Sequence, residues 1–287
     1  MMKKKNRTDS LWADAFRRFK RNKLAMFGFA MICILILCAI FAPLVAPYHY
    51  DYQSLDETFC APSWKHLFGT DSLGRDIFSR VIYGTRTSLS ISAATVLIAT
   101  ILGGALGAVA AYYGGPLDNT IMRFLDIFLA IPSTLLAIAI AAALGAGIGN
   151  TMLAITIGQV PGLARVVRAT VLSIKGEEYI RAARSIGSDT WRILVRHVLP
   201  NAMAPILVQA TLYVASAILS ISSLSFIGLG IQPPTPEWGS MLSAGRAYIR
   251  DAWYIVLFPG LAIMLTIFAF NLMGDGLRDA LDPKMKK

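Results

Sequence analysis

The 287-residue chain is too apolar and too sparsely charged to be an ordinary water-soluble protein. Hydrophobic residues make up 55% of it, charged residues only 15%, and the mean hydropathy is +0.58. Soluble domains carry about a quarter charged residues, so this composition excludes an ordinary cytosolic enzyme, a disordered chain and a disulfide scaffold, and it indicates a membrane protein. The net charge is +10, from 27 basic and 17 acidic residues, and only the position of those charges distinguishes a nucleic-acid partner from a membrane surface.

The chain opens with a basic segment, residues 1–23, followed by the first of five long stretches that lack Asp, Glu, Lys and Arg. These stretches are 24–50, 87–117, 127–164, 197–236 and 252–274. Each is long enough for a helix of about 20 residues, which spans about 30 Å of hydrocarbon. The first predicts a retained transmembrane helix over 24–46 and no signal peptide, because the apolar run exceeds a signal core and no A-x-A site follows it. We interpret the basic segment as a cytoplasmic tail that contacts anionic lipid and not nucleic acid.

The predicted order continues with an extracytoplasmic segment, 47–86, and a core of five more crossings, 87–274. The glycine-rich sequence at 145–150 divides the third stretch into two crossings, the second from about Thr151 to Leu172. Six crossings put 21 of the 27 basic residues on one side, whereas five would split them 12 to 15. Because basic residues concentrate on the cytoplasmic side, we predict an all-α, multi-pass inner-membrane protein with six transmembrane helices. Both termini, including the tail 275–287, are then cytoplasmic.

Two features of the core bear on packing and transport. Gly103, Gly107 and Ala111 recur at four-residue intervals, which predicts close helix contact. Gln159 and Gln209 lie at membrane depth, where an amide either faces a translocation path or bridges two helices; the sequence leaves both open.

The chain contains no motif for catalysis or cofactor binding. The sequence G-x-x-x-x-G-K-[ST] is absent, as are H-E-x-x-H and G-x-S-x-G, and the three cysteines, Cys33, Cys38 and Cys60, form no metal-ligand pattern. We therefore predict a non-catalytic conduit, without a metal or cofactor of its own, that takes its energy from another protein.

The segment 175–200 is the most informative part of the chain. It predicts two short helices, the first over about 178–186, with Gly187 as the break, in a positive-φ conformation, and Ser188 or Asp189 as the next cap. The second helix is expected to present one apolar face and to end at Pro200; that face comprises Trp191, Leu194, Val195 and Val198. Such a cytoplasmic elbow fits a groove on another protein or rests on the lipid surface.

Here the sequence resembles a known family. The pattern Arg181-Ala182-Ala183-x-x-x-Gly187, with Leu199-Pro200 after it, resembles the EAA loop of ABC importer permeases. It departs at Arg181, where many members have Glu, and at His197, where an aliphatic residue is common. Three further blocks, at 68–89, 232–239 and 271–283, are similar to the C-type subunits of dipeptide, oligopeptide and nickel importers, and most of all to the dipeptide branch.

The resemblance implies a type I ABC importer permease fold and a set of partners. These are a homologous B-type permease, two ATPase subunits that bind ATP and Mg²⁺, and an extracytoplasmic solute-binding protein. It assigns ATPase coupling to a set in the elbow: Arg181, Ala182, Ala183, Gly187, Leu199 and Pro200. From their position in the two longest external segments, we expect a second set to contact the binding protein: Asp71, Gly74, Arg75, Asp76, Glu237 and Trp238. The alternative is that Gly69, Gly74 and Asp76 only shape a loop and cap the second helix. The substrate-binding residues stay unknown.

The function that follows is ATP-driven import of dipeptides or oligopeptides. A nickel, metal-chelate or glutathione-like importer is the alternative within the family. A channel or scaffold that works without ATP is the alternative from another class, and the elbow argues against it because a channel needs no cytoplasmic docking element.

Overall fold

The computed structural model describes residues 11–281, and this part of the chain is a helical bundle. Twelve α-helices follow one another: α1 Leu11–Arg21, α2 Lys23–Ile40, α3 Ala42–Val45, α4 Ile77–Tyr113, α5 Gly115–Leu129, α6 Ser133–Leu144, α7 Ile148–Lys175, α8 Glu178–Ser185, α9 Thr190–Ile193, α10 Leu199–Phe226, α11 Trp238–Gly245 and α12 Tyr254–Leu281. Short 3₁₀ turns occur at Leu55–Glu57 and Arg246–Tyr248, and a π-turn at Leu194–Val198 joins α9 to α10. The first ten residues of the predicted tail and residues 282–287 lie outside the described part.

Four helices are long and apolar enough to cross a membrane, and the bent pair α5–α6 counts as a fifth if it forms one span. The four are α2, α4, α12 and the continuous helix Thr190–Phe226. The remaining long helix, α7, has 28 residues but carries Gln159, Arg165 and Arg168, so it is less apolar than the others. The count of six crossings therefore stays a prediction.

The helices break where the sequence contains proline or glycine. The first predicted crossing is divided at Phe41, because Pro43 lies in the first turn of α3. The stretch from 127 to 144 is not one straight helix: α5 and α6 meet at 83°, and Pro132 stands at the joint. The glycine-rich break is confirmed, since α6 ends at Leu144 and Gly145 and Gly147 have φ of 85° and 149°.

The core of the bundle is the close pairing of α4 with α7. A Cβ at Gly103 would lie 2.8 Å from the Val160 carbonyl oxygen, and one at Gly107 only 2.2 Å from that of Ala164. The spacing of small residues thus predicted this contact correctly. Helices α10, α12 and α2 pack in succession beside the pair.

Helices extend further than the predicted segments. Helix α4 begins at Ile77, inside the segment assigned to 47–86, because Asp76 caps it: Asp76 Oδ2 accepts a hydrogen bond from Ser79 N at 2.7 Å. Helix α12 continues through the first residues of the predicted C-terminal tail to Leu281.

Candidate functional site

The elbow, residues 175–200, starts at the end of α7 and continues with the short helix α8. This helix ends at Ser185, and Gly187 follows with φ of 76°. Gly187 N donates to Arg184 O at 2.9 Å and Ser188 N to Ala183 O at 3.1 Å. These two bonds form a Schellman cap, which satisfies carbonyl groups that the helix end leaves free. The predicted helix stop and positive φ at Gly187 are both confirmed.

The second half of the elbow starts at the predicted cap and then continues into the membrane helix. Asp189 accepts a hydrogen bond from Trp191 N at 3.0 Å. The prediction that Pro200 ends this helix is wrong: Pro200 lies in the first turn of α10, and one helix runs from Thr190 to Phe226. The π-turn at Leu194–Val198 ends two residues before Pro200. Proline lacks an N–H and crowds the carbonyl group four residues earlier, and the wider turn accommodates it.

One face of the elbow is anchored on the protein's own core. Ile180, Ile193 and Val198 are almost completely buried, against Val167 and Val171 of α7. The predicted single apolar face of the second helix is wrong, since Leu194 and Val198 point inward while Trp191 and Val195 are exposed. The elbow is therefore held by its own chain before any partner binds it.

Polar contacts reinforce this anchor. Lys175 Nζ donates to Tyr112 O at 2.6 Å and to Ala111 O at 3.2 Å, at the end of α4. The Arg184 guanidinium lies 5.5 Å from the centre of the Tyr112 ring. A cation at a helix C-terminus stabilises its unpaired carbonyl groups, so these contacts fix α8 relative to α4 and α7.

The predicted coupling residues fall on different faces. Ala183 is only 9% exposed and belongs to the buried cluster, so it does not lie on an outward docking face, contrary to the expectation. Ala182 and Arg181 are exposed, and Arg181 donates to Gly176 O at 3.0 Å. Leu199 is half-buried against the same cluster, and Pro200 is exposed.

The outward face of the elbow carries large apolar side chains that sequence reasoning either missed or grouped wrongly. Ile186 is 83% exposed and Trp191 67% exposed. Both flank the Gly187 turn, and Ala182 lies on the exposed side of the same helix. The sequence signal for Ile186 was a large apolar residue directly before the glycine stop, at the C-cap of α8.

At the opposite end of the bundle, the residues predicted to meet the binding protein are buried. Asp71 Oδ2 pairs with Arg75 Nε at 2.7 Å, and Asp71 Oδ1 accepts from Leu73 N and Arg75 N at 2.9 and 3.0 Å. Asp76 pairs through Oδ1 with His66 Nδ1 at 2.9 Å. A Cβ at Gly74, where φ is 68°, would lie 1.8 Å from Ser54 O. Gly74 and Asp76 therefore shape the loop and cap α4, which is the structural alternative predicted for them, and Asp71 and Arg75 are buried in the same loop.

Glu237 and Trp238 likewise join helices and do not face solvent. Glu237 is fully buried and accepts hydrogen bonds from Gly239 N at 2.9 Å, Ser240 N at 2.8 Å and the Ser222 hydroxyl at 3.1 Å. Trp238 is also fully buried, and its Nε1 donates to Val81 O at 3.1 Å. The two residues therefore tie α11 to the ends of α10 and α4.

The most exposed large apolar side chains at this end lie in the predicted extracytoplasmic segment, at positions that the sequence analysis did not single out. Trp64 is 98% exposed and Leu55 72% exposed. Beside them, Lys65 pairs with Glu57, and this hydrogen bond holds the pKa of the Glu57 carboxyl below its usual value. The sequence Pro62-Ser63-Trp64-Lys65 could have indicated that Trp64 is exposed. It is typical of a turn, and a tryptophan in a turn has no neighbouring helix to bury its ring.

Two family descriptions match the chain. Residues 101–287 match the binding-protein-dependent transport system inner membrane component, and residues 10–62 match the N-terminal TM domain of oligopeptide transport permease C.

Relatives match over nearly the full length. The chain is 50% identical to the dipeptide transport system permease protein DppC of Alkalihalophilus pseudofirmus, over 96% of this chain and 91% of that protein. It is 48% identical to the di/tripeptide transport system permease protein DppC of Pseudomonas aeruginosa, over 95% and 92%. It is 47% identical to the glutathione transport system permease protein GsiD of Escherichia coli O157:H7, over 96% and 91%.

The fold is shared with a solved transporter. A chain of the inward-facing MetNI methionine ABC transporter superposes with a TM-score of 0.58 at 17% identity, over 71% of this chain and 96% of that chain.

Proposed function

The chain belongs to the family of inner membrane components of binding-protein-dependent transport systems, and from that membership we propose that it is a permease subunit of an ATP-driven importer of di- or oligopeptides. It supplies half of the translocation path and hydrolyses nothing itself. A second, B-type permease supplies the other half, two ATPase subunits bind ATP and Mg²⁺, and an extracytoplasmic binding protein delivers the solute.

The observation that carries this proposal is the elbow, whose inner face is anchored while its outer face exposes large apolar side chains among polar and basic residues. Ile180 and Ile193 fix it to α7, and Ile186 and Trp191 project away. A rigid element with exposed large side chains suits a groove on another protein, where buried aromatic anchors contribute most of the binding energy. The ATPase subunit is the partner that takes this element, with Ala182 as the close-contact residue of α8.

The orientation that follows places the elbow and both termini in the cytoplasm and the buried Asp71–Arg75 region outside. The 21-to-6 distribution of basic residues supports it, and so does the type I importer fold with six crossings that the resemblance implies. Trp64 and its neighbours then face the binding protein, while Asp76 and Glu237 keep that surface in shape.

The 47% identity to glutathione permeases favours one second candidate, a glutathione-like substrate, within the same family. The candidate from another functional class is a channel that works without ATP, and the anchored elbow argues against it.

Reconstitution tests the proposal directly. The chain, its B-type partner, both ATPases and the binding protein in proteoliposomes should import labelled dipeptide only with ATP, and a hydrolysis-deficient ATPase variant is the control. Glutathione and a nickel chelate are run as competitors in the same assay. Uptake that proceeds equally without ATP would contradict the proposal.

A further inference from the structure

Helix α10 carries a polar stripe on one side, and most of it lies at membrane depth. Its members are Gln209, Tyr213, Ser216, Ser220 and Ser223. They recur at intervals of four, three, four and three residues, which places them on one side of an α-helix. None of them is buried: Ser216 and Ser223 are exposed, and the other three are half-buried.

Helix α7 faces the same side and adds an unpartnered amide. Gln159 is 6% exposed, and its Nε2 donates to Tyr213 O at 3.4 Å. Within residues 11–281, Gln159 Oε1 has no hydrogen-bond partner. A buried acceptor without a donor is unfavourable, so this oxygen needs water or a ligand N–H beside it.

Gln159 and three members of the stripe, Tyr213, Ser216 and Ser220, line a cavity of about 170 Å³ between α6, α7 and α10, and Gln209 and Ser223 continue the stripe beyond it. Gly158 and Gly162 of α7 leave space for this cavity because they lack side chains. A Cβ at Gly162 would lie 2.1 Å from the Tyr213 hydroxyl. Ser133 at the start of α6 closes the other side.

The Ser223 hydroxyl donates to Leu219 O at 2.7 Å within α10, but hydrocarbon offers no partner to Gln159 Oε1 or to the hydroxyl groups of Ser216 and Ser220. This side of α10 therefore does not face lipid. The opposite side of α10 shows the contrast: Leu207 is 42% exposed and lines an almost wholly apolar groove with Met26 and Phe29. One helix thus has an apolar outer side and a polar side turned to the cavity.

We infer that the stripe from Gln209 to Ser223, together with Gln159, lines the water-filled translocation path and contacts the substrate backbone. This inference rests on the proposed function and adds its path residues. The stripe holds neutral donors and acceptors and no ionisable carboxylate or ammonium group, so it pairs with amide N–H and C=O groups. Those groups are the same in every peptide, whatever the side chains and net charge.

Cysteine accessibility in the assembled transporter tests the path. Cys33, Cys38 and Cys60 are first replaced by alanine, and then Ser216→Cys, Ser220→Cys and the control Leu207→Cys are made. A hydrophilic thiosulfonate should modify the two stripe positions about tenfold faster than position 207, because only a thiolate in contact with water reacts. Equal rates at all three positions, or no modification of the stripe because the partner permease covers it, would overturn the inference.

A dipeptide import assay tests whether the stripe contacts the substrate. The double variant Ser216→Leu/Ser220→Leu should lose about tenfold in dipeptide import while it retains ATPase subunits, because a hydrophobic face cannot replace the lost hydrogen bonds. Unchanged import by this variant would overturn the contact role. Failure of ATP-driven import by the unmodified complex would instead contradict the proposed function, and the labelling rates would still decide on the stripe.

Discussion

At the residue scale, the turn at Gly187 depends on backbone conformation and not on space. Its φ is 76°, and a Cβ there would meet no atom within 4 Å. Left-handed φ costs an L-residue about 1–2 kcal/mol, whereas asparagine tolerates it better. The glycine is therefore needed for the direction of the elbow.

Gly187→Val should misdirect the elbow, whereas Gly187→Asn should keep it. The valine variant is expected to lose solute-stimulated ATP hydrolysis and to retain less ATPase on purification. The asparagine variant serves as the matched control, because it changes size and polarity at a position with open space around it. Equal activity of both variants would show that the conformation at Gly187 does not matter for coupling.

Glu237 is a second residue whose role is local and testable. Glu237→Ala removes a buried carboxylate and leaves Gly239 N and Ser240 N without their acceptor. We expect the folded state to lose about 1–3 kcal/mol, since unsatisfied buried donors cost that much. Thermal unfolding in detergent measures the loss, and an unchanged midpoint would contradict the capping role.

At the scale of the element, the two adjacent alanines of α8 have different environments. Ala183 packs among Tyr112, Val167 and Ile180, whereas Ala182 is exposed. A charge at either position thus has a different physical effect: desolvation inside the protein at one, and repulsion from an apolar docking groove at the other.

Ala183→Asp should lower the thermal stability and membrane yield of the permease itself. Ala182→Asp should leave both unchanged and should reduce retention of the ATPase subunits. Each variant controls for the other, because they introduce the same charge one residue apart. The opposite result would reverse the assignment of the two faces. In that case Ala183→Asp would have normal stability but lose the ATPase subunits, and Ala182→Asp would be fully active.

Local chemistry in the elbow was predictable, but its orientation was not. The stop at Gly187 and the cap at Asp189 follow from capping preferences within a few residues. The inward direction of Ala183 depends on Tyr112 and Val167, which are distant in sequence, so periodicity alone cannot supply it. For the same reason the sequence did not decide whether Asp76 caps a helix, and it did not indicate that Glu237 is a buried cap. The spacing of Gly103 and Gly107, by contrast, sufficed to predict the contact of α4 with α7.

At the scale of the whole molecule, the two ends of the bundle differ in construction. The elbow end is anchored through apolar side chains, and the opposite end through buried charged groups such as Asp71, Arg75 and Glu237. A topology test must therefore use positions that a reagent can reach. Trp238 is fully buried, whereas Trp64 is 98% exposed.

In intact cells, Trp64→Cys should react with an impermeant thiol reagent, and Arg184→Cys should not, once the three native cysteines are replaced. The expectation follows from the distribution of basic residues, which predicts that the elbow is cytoplasmic. Permeabilised cells should label both positions and so verify that each thiol is accessible. Labelling of position 184 in intact cells would overturn the six-crossing topology.

The length of the helix from Thr190 to Phe226, which includes the π-turn and Pro205, has a mechanical consequence. Its 37 residues form a rod of about 55 Å at about 1.5 Å per residue. A rod of that length converts each degree of tilt at one tip into about 1 Å of travel at the other. Ser222, near the far tip, donates to Glu237, so this single helix connects the elbow to the buried Glu237 cap at the opposite end of the bundle without a break at Pro200.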